Sequence, residues 1–120
     1  METKNLSEST ICCFGDSTTW GDNGCGAGGN DISWTSHLGA LLGGAVVENF
    51  GIKGSRIAIK ADRTDSFVER LDGIDDAADV YVVFGGINDF SRNVPLGELG
   101  STDVHEFYGA LDYLVRTITA

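Results

Sequence analysis

Three short stretches hold residues that could do chemistry together. The first is Phe14-Gly15-Asp16-Ser17-Thr18-Thr19-Trp20-Gly21, at the end of the apolar run Thr10–Phe14. A serine on a turn loosened by Gly15, just ahead of a helix start, can point its hydroxyl into a crevice. Its backbone N–H would sit where a developing negative charge is stabilised. Ser17 has a plainer role open to it as well, because serine is a favoured helix N-cap. The second stretch, Asn49 to Gly54, offers the N–H of Gly54, which no side chain shields. The third, Gly85-Gly86-Ile87-Asn88-Asp89, offers the side-chain amide of Asn88, and asparagine is a recognised oxyanion donor. A nucleophile and donors aimed at one oxyanion are the equipment of acyl transfer. Taken singly, Gly54 and Asn88 also read as turn residues.

The elements that must position these residues follow from the apolar pattern. Strands are expected at Thr10–Phe14, Ala45–Asn49 and Val80–Phe84. The last shows no polar alternation and reads as buried on both faces, as in parallel sheets. Helices are expected at Ser33–Leu42, with Trp34, Leu38, Leu41 and Leu42 on one face, and near Asp65–Leu71, burying Phe67, Val68 and Leu71. A last helix should open at Asp103, with Glu106 completing a variant capping box, and should turn Phe107, Leu111, Leu114, Val115 and Ile118 to one side. Trp34 and Phe107 read as core. Residues 1–9 read as a frayed lead-in, Asp22–Asp31 as a flexible glycine loop, and Phe90–Ser101 as irregular. The order β-α-β-α-β-α with short loops predicts a parallel sheet with covering helices, in one domain over residues 1–120. In such sheets the loops at the carboxyl ends of the strands hold the ligand site. All three stretches sit there.

Composition narrows the partners. The 120 residues carry a formal charge of −10, which repels nucleic acid and anionic membranes, so neither is expected. No apolar run approaches membrane-spanning length, and the acidic start does not read as a secretory signal. Cys12, Cys13 and Cys25 have no metal-ligand spacing. Cys12 and Cys13 read as buried and Cys25 as exposed and free, which fits a reducing cytoplasm. The Gly24–Gly29 run resembles a dinucleotide fingerprint superficially, but the strand ends about ten residues before it.

Taken together, Gly15-Asp16-Ser17, the Asn49–Gly54 segment and Gly86-Ile87-Asn88-Asp89 resemble the first three sequence blocks of the SGNH (GDSL-type) hydrolases. The resemblance covers roughly residues 10 to 119. It implies a flavodoxin-like α/β/α fold of which three of five strands are present, and a serine esterase or lipase activity without cofactor or metal, acting on a small-molecule ester. By resemblance Ser17 is the nucleophile, and the Ser17 N–H, the Gly54 N–H and the Asn88 side chain form the oxyanion hole. Gly51 is the weaker substitute for Gly54.

The base is missing from this pattern. The family draws it from an Asp-x-x-His motif after the last strand, and these residues contain none. His37 falls inside a predicted helix. His105 falls in the first turn of another, so it is a surface residue or a stand-in base. The chain is therefore expected to be the front part of a longer enzyme, with Val80–Phe84 on an open sheet edge where self-association could occur. Two other readings stand beside the esterase: a non-catalytic relative that binds a ligand or partner, and a flavin- or phosphate-binding domain. Against the second, Asp16 places a carboxylate where phosphate should lie.

Overall fold

The computed structural model describes residues 5–120. Met1–Lys4, the start of the expected lead-in, lie outside the described residues. The chain gathers into two compact units, one running up to Lys53 and resuming at Asp75–Phe84, the other formed by Gly54–Ile74 and Gly85–Ala120.

The first unit is a three-stranded parallel sheet. Strands β1 (Thr10–Gly15), β2 (Val46–Gly51) and β3 (Val80–Phe84) lie in the order β2-β1-β3, as a partial flavodoxin-like sheet requires. The register sets Cys12 opposite both Glu48 and Tyr81. Having a neighbour on each side, β1 is the most buried strand. Ile11, Cys12, Cys13 and Phe14 are all essentially inaccessible. On one side of the sheet Ile11, Cys13 and Ala45 pack with Trp34, Leu38, Leu42, Val47, Val80 and Val82. Trp34, read as core from its spacing, is partly buried and packs against this cluster.

Helices α1 (Ser17–Trp20) and α2 (Thr35–Leu41) follow β1. The buried side of α2 runs through Thr35, Leu38 and Leu42, which turns Leu41 outward to 80% exposure. Leu41 is therefore not on the core face. In the described part of the lead-in, Asn5 Oδ1 accepts the Ser7 N–H at 3.1 Å and caps a 3-10 turn at Leu6–Glu8. The glycine loop is fastened at several points. Asp22 bridges to Gly28, Asn23 Oδ1 accepts the Cys25 N–H at 2.8 Å, and Lys53 Nζ donates to the Gly26 carbonyl at 2.8 Å.

Strand β3 departs from its expected burial. Val83 is 38% and Phe84 52% exposed, because β3 pairs with β1 on one side and with no described strand on the other. An apolar run reports what a strand is suited to, and its place in the sheet decides what is covered.

The second unit is helical: α3 (Phe67–Arg70), α4 (Ile87–Ser91) and α5 (Phe107–Thr119). A capping box starts α3, with Ser66 Oγ accepting the Glu69 N–H and the Glu69 carboxylate accepting the Ser66 N–H. It is one turn long and continues as a 3-10 turn at Leu71–Gly73. Phe67 and Leu71 are buried as expected, and Val68 is half-buried. Helix α5 starts three residues later than the Asp103 signal suggests, with Glu106 at the N-cap position. The Asp103 carboxylate turns back on the His105 N–H at 2.9 Å. The first helical N–H groups, of Phe107 and Tyr108, donate instead to the carbonyls of Pro95 and Leu96. The helix buries Ala110 and Leu114 and leaves Val115 half in water.

Candidate active site

In the first unit, β1 delivers Gly15 into a crowded corner. A Cβ at Gly15 would strike the Thr19 side chain and lie 2.9 Å from the Phe84 carbonyl. The chain then enters α1 through Asp16, which is 2% exposed and whose Oδ1 accepts the Thr18 N–H at 3.0 Å. Asp16 is the N-cap of α1 and Ser17 its first helical residue. The capping role open to Ser17 is thus filled by its neighbour. Ser17 is half-buried, and no described residue makes a hydrogen bond to its Oγ or accepts its N–H. Its carbonyl accepts the N–H groups of Gly21 and Asp22 at 2.9 and 3.0 Å, which fixes its backbone.

Asn49 holds this corner from β2. Its Nδ2 donates to the Thr19 carbonyl at 2.7 Å and its Oδ1 accepts the Gly51 N–H at 2.8 Å. Ser33 Oγ donates to the same Thr19 carbonyl at 2.7 Å. Neither positioning role was evident from the sequence. Asn49 served there as the start of a spacing, and a strand-end amide carries no mark of what it will reach.

In the second unit, Gly54 has φ +78°, a left-handed conformation that favours glycine, and a Cβ there would meet the Arg63 guanidinium at 2.8 Å. No described group accepts its N–H. Gly51 differs, since its N–H is already bonded to Asn49. Asn88 does not sit in a loop but on α4, entered through Gly86 at φ +111°. Its Nδ2 donates to the Ser55 carbonyl at 3.0 Å, and a primary amide has a second hydrogen to give. Asp89 is 2% exposed and spans two backbone donors, Ile57 N–H at 2.8 Å and Ala58 N–H at 3.0 Å. Ser55 Oγ donates to the Asp65 carbonyl at 2.6 Å and accepts from Arg70 at 2.9 Å. The segment from Gly54 to Ala58 is thereby stitched to the start of α4. Two of the expected oxyanion donors, Gly54 and Asn88, belong to this one framework, while Ser17 belongs to the first unit. The Asp89 clamp was hidden in the sequence, where Asp89 reads as a turn acid.

The histidines stand apart. His37 is exposed on α2. His105 is exposed in the turn before α5, not in the helix, with Nδ1 3.0 Å from Asp103 Oδ1. The His105 backbone N–H, then its ring, hold the Asp103 carboxyl below the usual range. Cys12 and Cys13 are buried free thiols, pushed up to about 12 and about 11 by burial, and Cys25 is exposed and free. Phe107 is half-buried and is not core. It lines a cavity of about 560 Å³ with Phe90, Val94, Leu96 and residues of the Asn88 turn.

Among the described residues, no helix is long and apolar enough to cross a membrane.

Comparison with known proteins bears on the family and the fold. The model of the GDSL-like lipase/acylhydrolase family matches residues 13–120. One solved crystal structure is 95% identical over 97% of this chain, with a TM-score of 0.95, and the match covers 53% of that structure's chain. A protein from Lactobacillus plantarum is 33% identical, with a TM-score of 0.77 over 95% of this chain and 51% of its own. A protein from Chitinophaga pinensis, called a possible lipase, shares the fold at 24% identity and a TM-score of 0.69, over 92% of this chain and 43% of its own. This chain therefore spans about half the length of the solved relatives it matches. No curated protein matches it.

Proposed function

Because this chain belongs to the GDSL-like lipase/acylhydrolase family, we propose that it is the front part of a serine esterase with Ser17 as nucleophile. Ser17 Oγ attacks the carbonyl carbon of a small-molecule ester and gives up its proton to a base. The tetrahedral oxyanion accepts hydrogen bonds from the Ser17 N–H, the Gly54 N–H and the Asn88 side chain. The alkoxide leaves as the alcohol, and water then attacks the acyl-serine and releases the acid.

The observation that carries this reading is the division of labour at the start of α1. Asp16 caps the helix, so Ser17 is left without a structural duty for its hydroxyl. The unbonded Gly54 N–H and the anchored Asn88 amide support the donor assignment. The base comes from the remainder of the longer enzyme. His105, its ring held by Asp103, is the weaker candidate. Three free thiols support a reducing compartment such as the cytoplasm.

The test is hydrolysis of p-nitrophenyl acetate by the wild-type chain and by Ser17→Ala. The esterase reading expects a rate above water that passes through an acyl-serine intermediate, and expects that rate to fall in Ser17→Ala. Equal rates in both proteins contradict it, and no rate above water in a folded sample favours a non-catalytic binding domain.

A further inference from the structure

We propose that Arg63, locked to Asp65, is a positioning residue for the Gly54 donor of the oxyanion hole. This rests on the esterase reading and adds to it a residue that acts through Gly54 rather than on the substrate. A glycine donor has no side chain to brace it, so its N–H is aimed only by what holds the backbone. At φ +78°, Gly54 turns the side where a Cβ would stand toward the Arg63 guanidinium. A Cβ there would lie 2.8 Å from Nη1, 3.1 Å from Cζ and 3.3 Å from Nη2. The guanidinium thus fills the place of a side chain on Gly54 and limits the swing of its backbone.

The guanidinium is fixed in turn. Its Nε donates to Asp65 Oδ1 at 2.9 Å and its Nη2 to Asp65 Oδ2 at 2.5 Å. Such a two-pronged pair sets the plane of the group as well as its place. The bond to Asp65 outweighs some desolvation and keeps Arg63 charged. Asp65 also grips the residue after Gly54. Its carbonyl accepts Ser55 Oγ at 2.6 Å and Arg70 Nε at 3.0 Å, and Arg70 Nη2 donates to Ser55 Oγ at 2.9 Å. Arg70 stacks over the buried Phe67 ring at 5.1 Å. The Ser55 carbonyl accepts the Asn88 amide. Asp65 therefore links the brace on Gly54 to the backbone that anchors Asn88.

The pair adds little to folding. The Arg63 side chain is 40% and the Asp65 side chain 25% exposed, and an ion pair so open to water contributes almost nothing to stability. Its loss should show in the reaction and not in the melting curve, which separates positioning from a structural role.

The experiment is steady-state hydrolysis of p-nitrophenyl acetate by the full-length enzyme and by its Arg63→Met, Arg63→Lys, Asp65→Asn and double Arg63→Met/Asp65→Asn variants. Thermal melting and ¹⁵N-glycine spectra are recorded on the same proteins. Removing a donor outright lowers kcat by about 10²–10³, so misaiming one should lower it about tenfold. KM should stay within about twofold and the melting midpoint within about 4 °C. Arg63→Lys keeps the charge without the planar fork, so it should fall with Arg63→Met. The double variant should be no slower than the slower single one, because the two residues act as a unit. The Gly54 amide resonance should move in every variant. Unchanged kcat in Arg63→Met overturns the proposal, as does an unmoved Gly54 resonance. So do additive losses in the double variant, full activity in Arg63→Lys, or a loss of rate that tracks a loss of folded protein. Ser17→Ala separates the two claims. A rate unchanged in Ser17→Ala sinks the esterase reading. A rate lost in Ser17→Ala but kept in Arg63→Met sinks the positioning role alone.

Discussion

Replacing Asp89 by alanine tests whether one buried carboxylate holds the Gly54–Ala58 segment to the start of α4. Asp89 is 2% exposed and accepts two backbone N–H groups, at 2.8 and 3.0 Å. A hydrogen bond to a charged group contributes about 1.5–3 kcal/mol, so two give about 3–6 kcal/mol. Relief from burying the carboxylate offsets part of this, leaving a net loss of about 3 kcal/mol. Asp89→Asn keeps one accepting oxygen and turns an NH₂ toward the other N–H, so its cost should fall below that of alanine but above 1 kcal/mol, by roughly one such bond. Urea unfolding of the three proteins gives these numbers, provided the m-values agree. Hydrogen exchange at Ile57 and Ala58 should accelerate in Asp89→Ala, since those are the amides released. A loss below about 0.5 kcal/mol, or unchanged exchange at both amides, would refute the reasoning.

Three further outcomes are expected. On the proposed esterase reading, Asn88→Ala should lower kcat by about 10²–10³, while losing the 3.0 Å bond to Ser55 costs only about 1 kcal/mol in thermal unfolding. The Asp75 carboxyl beside Glu48, together with burial, raises the Glu48 pKa above the usual glutamate range. The folded state then binds a proton that the unfolded chain has lost. Stability is full below the ordinary glutamate range and falls as pH climbs through the raised value; Glu48→Gln should flatten that fall in pH-dependent melting. Val83→Lys on the uncovered side of β3 should reduce any self-association of the chain seen by sedimentation.

What the sequence made legible was what repeats along a sheet. The apolar run before Ser17 reads as a strand, and β1 is one, paired on both sides. The three strands come in the expected order. What it hid was set by neighbours. Asp16 and Ser17 are both good caps, and only geometry shows that Asp16 takes the helix. Gly86-Ile87-Asn88-Asp89 has turn composition, yet Gly86 in a left-handed conformation launches α4 from it. Asp103 and Glu106 have the spacing of a capping box, but Asp103 bonds His105 and the helix waits until Phe107. Phe107 shows helical periodicity with the core and faces a cavity instead. Local pattern does not record which long-range partner arrives first.

The most direct measurement is intact-mass analysis and peptide mapping of the full-length enzyme after treatment with an alkyl fluorophosphonate. A single adduct on the peptide carrying Ser17, absent in Ser17→Ala, is the predicted result. An adduct on another serine, or the same labelling in Ser17→Ala, would contradict the assignment of Ser17 as the nucleophile.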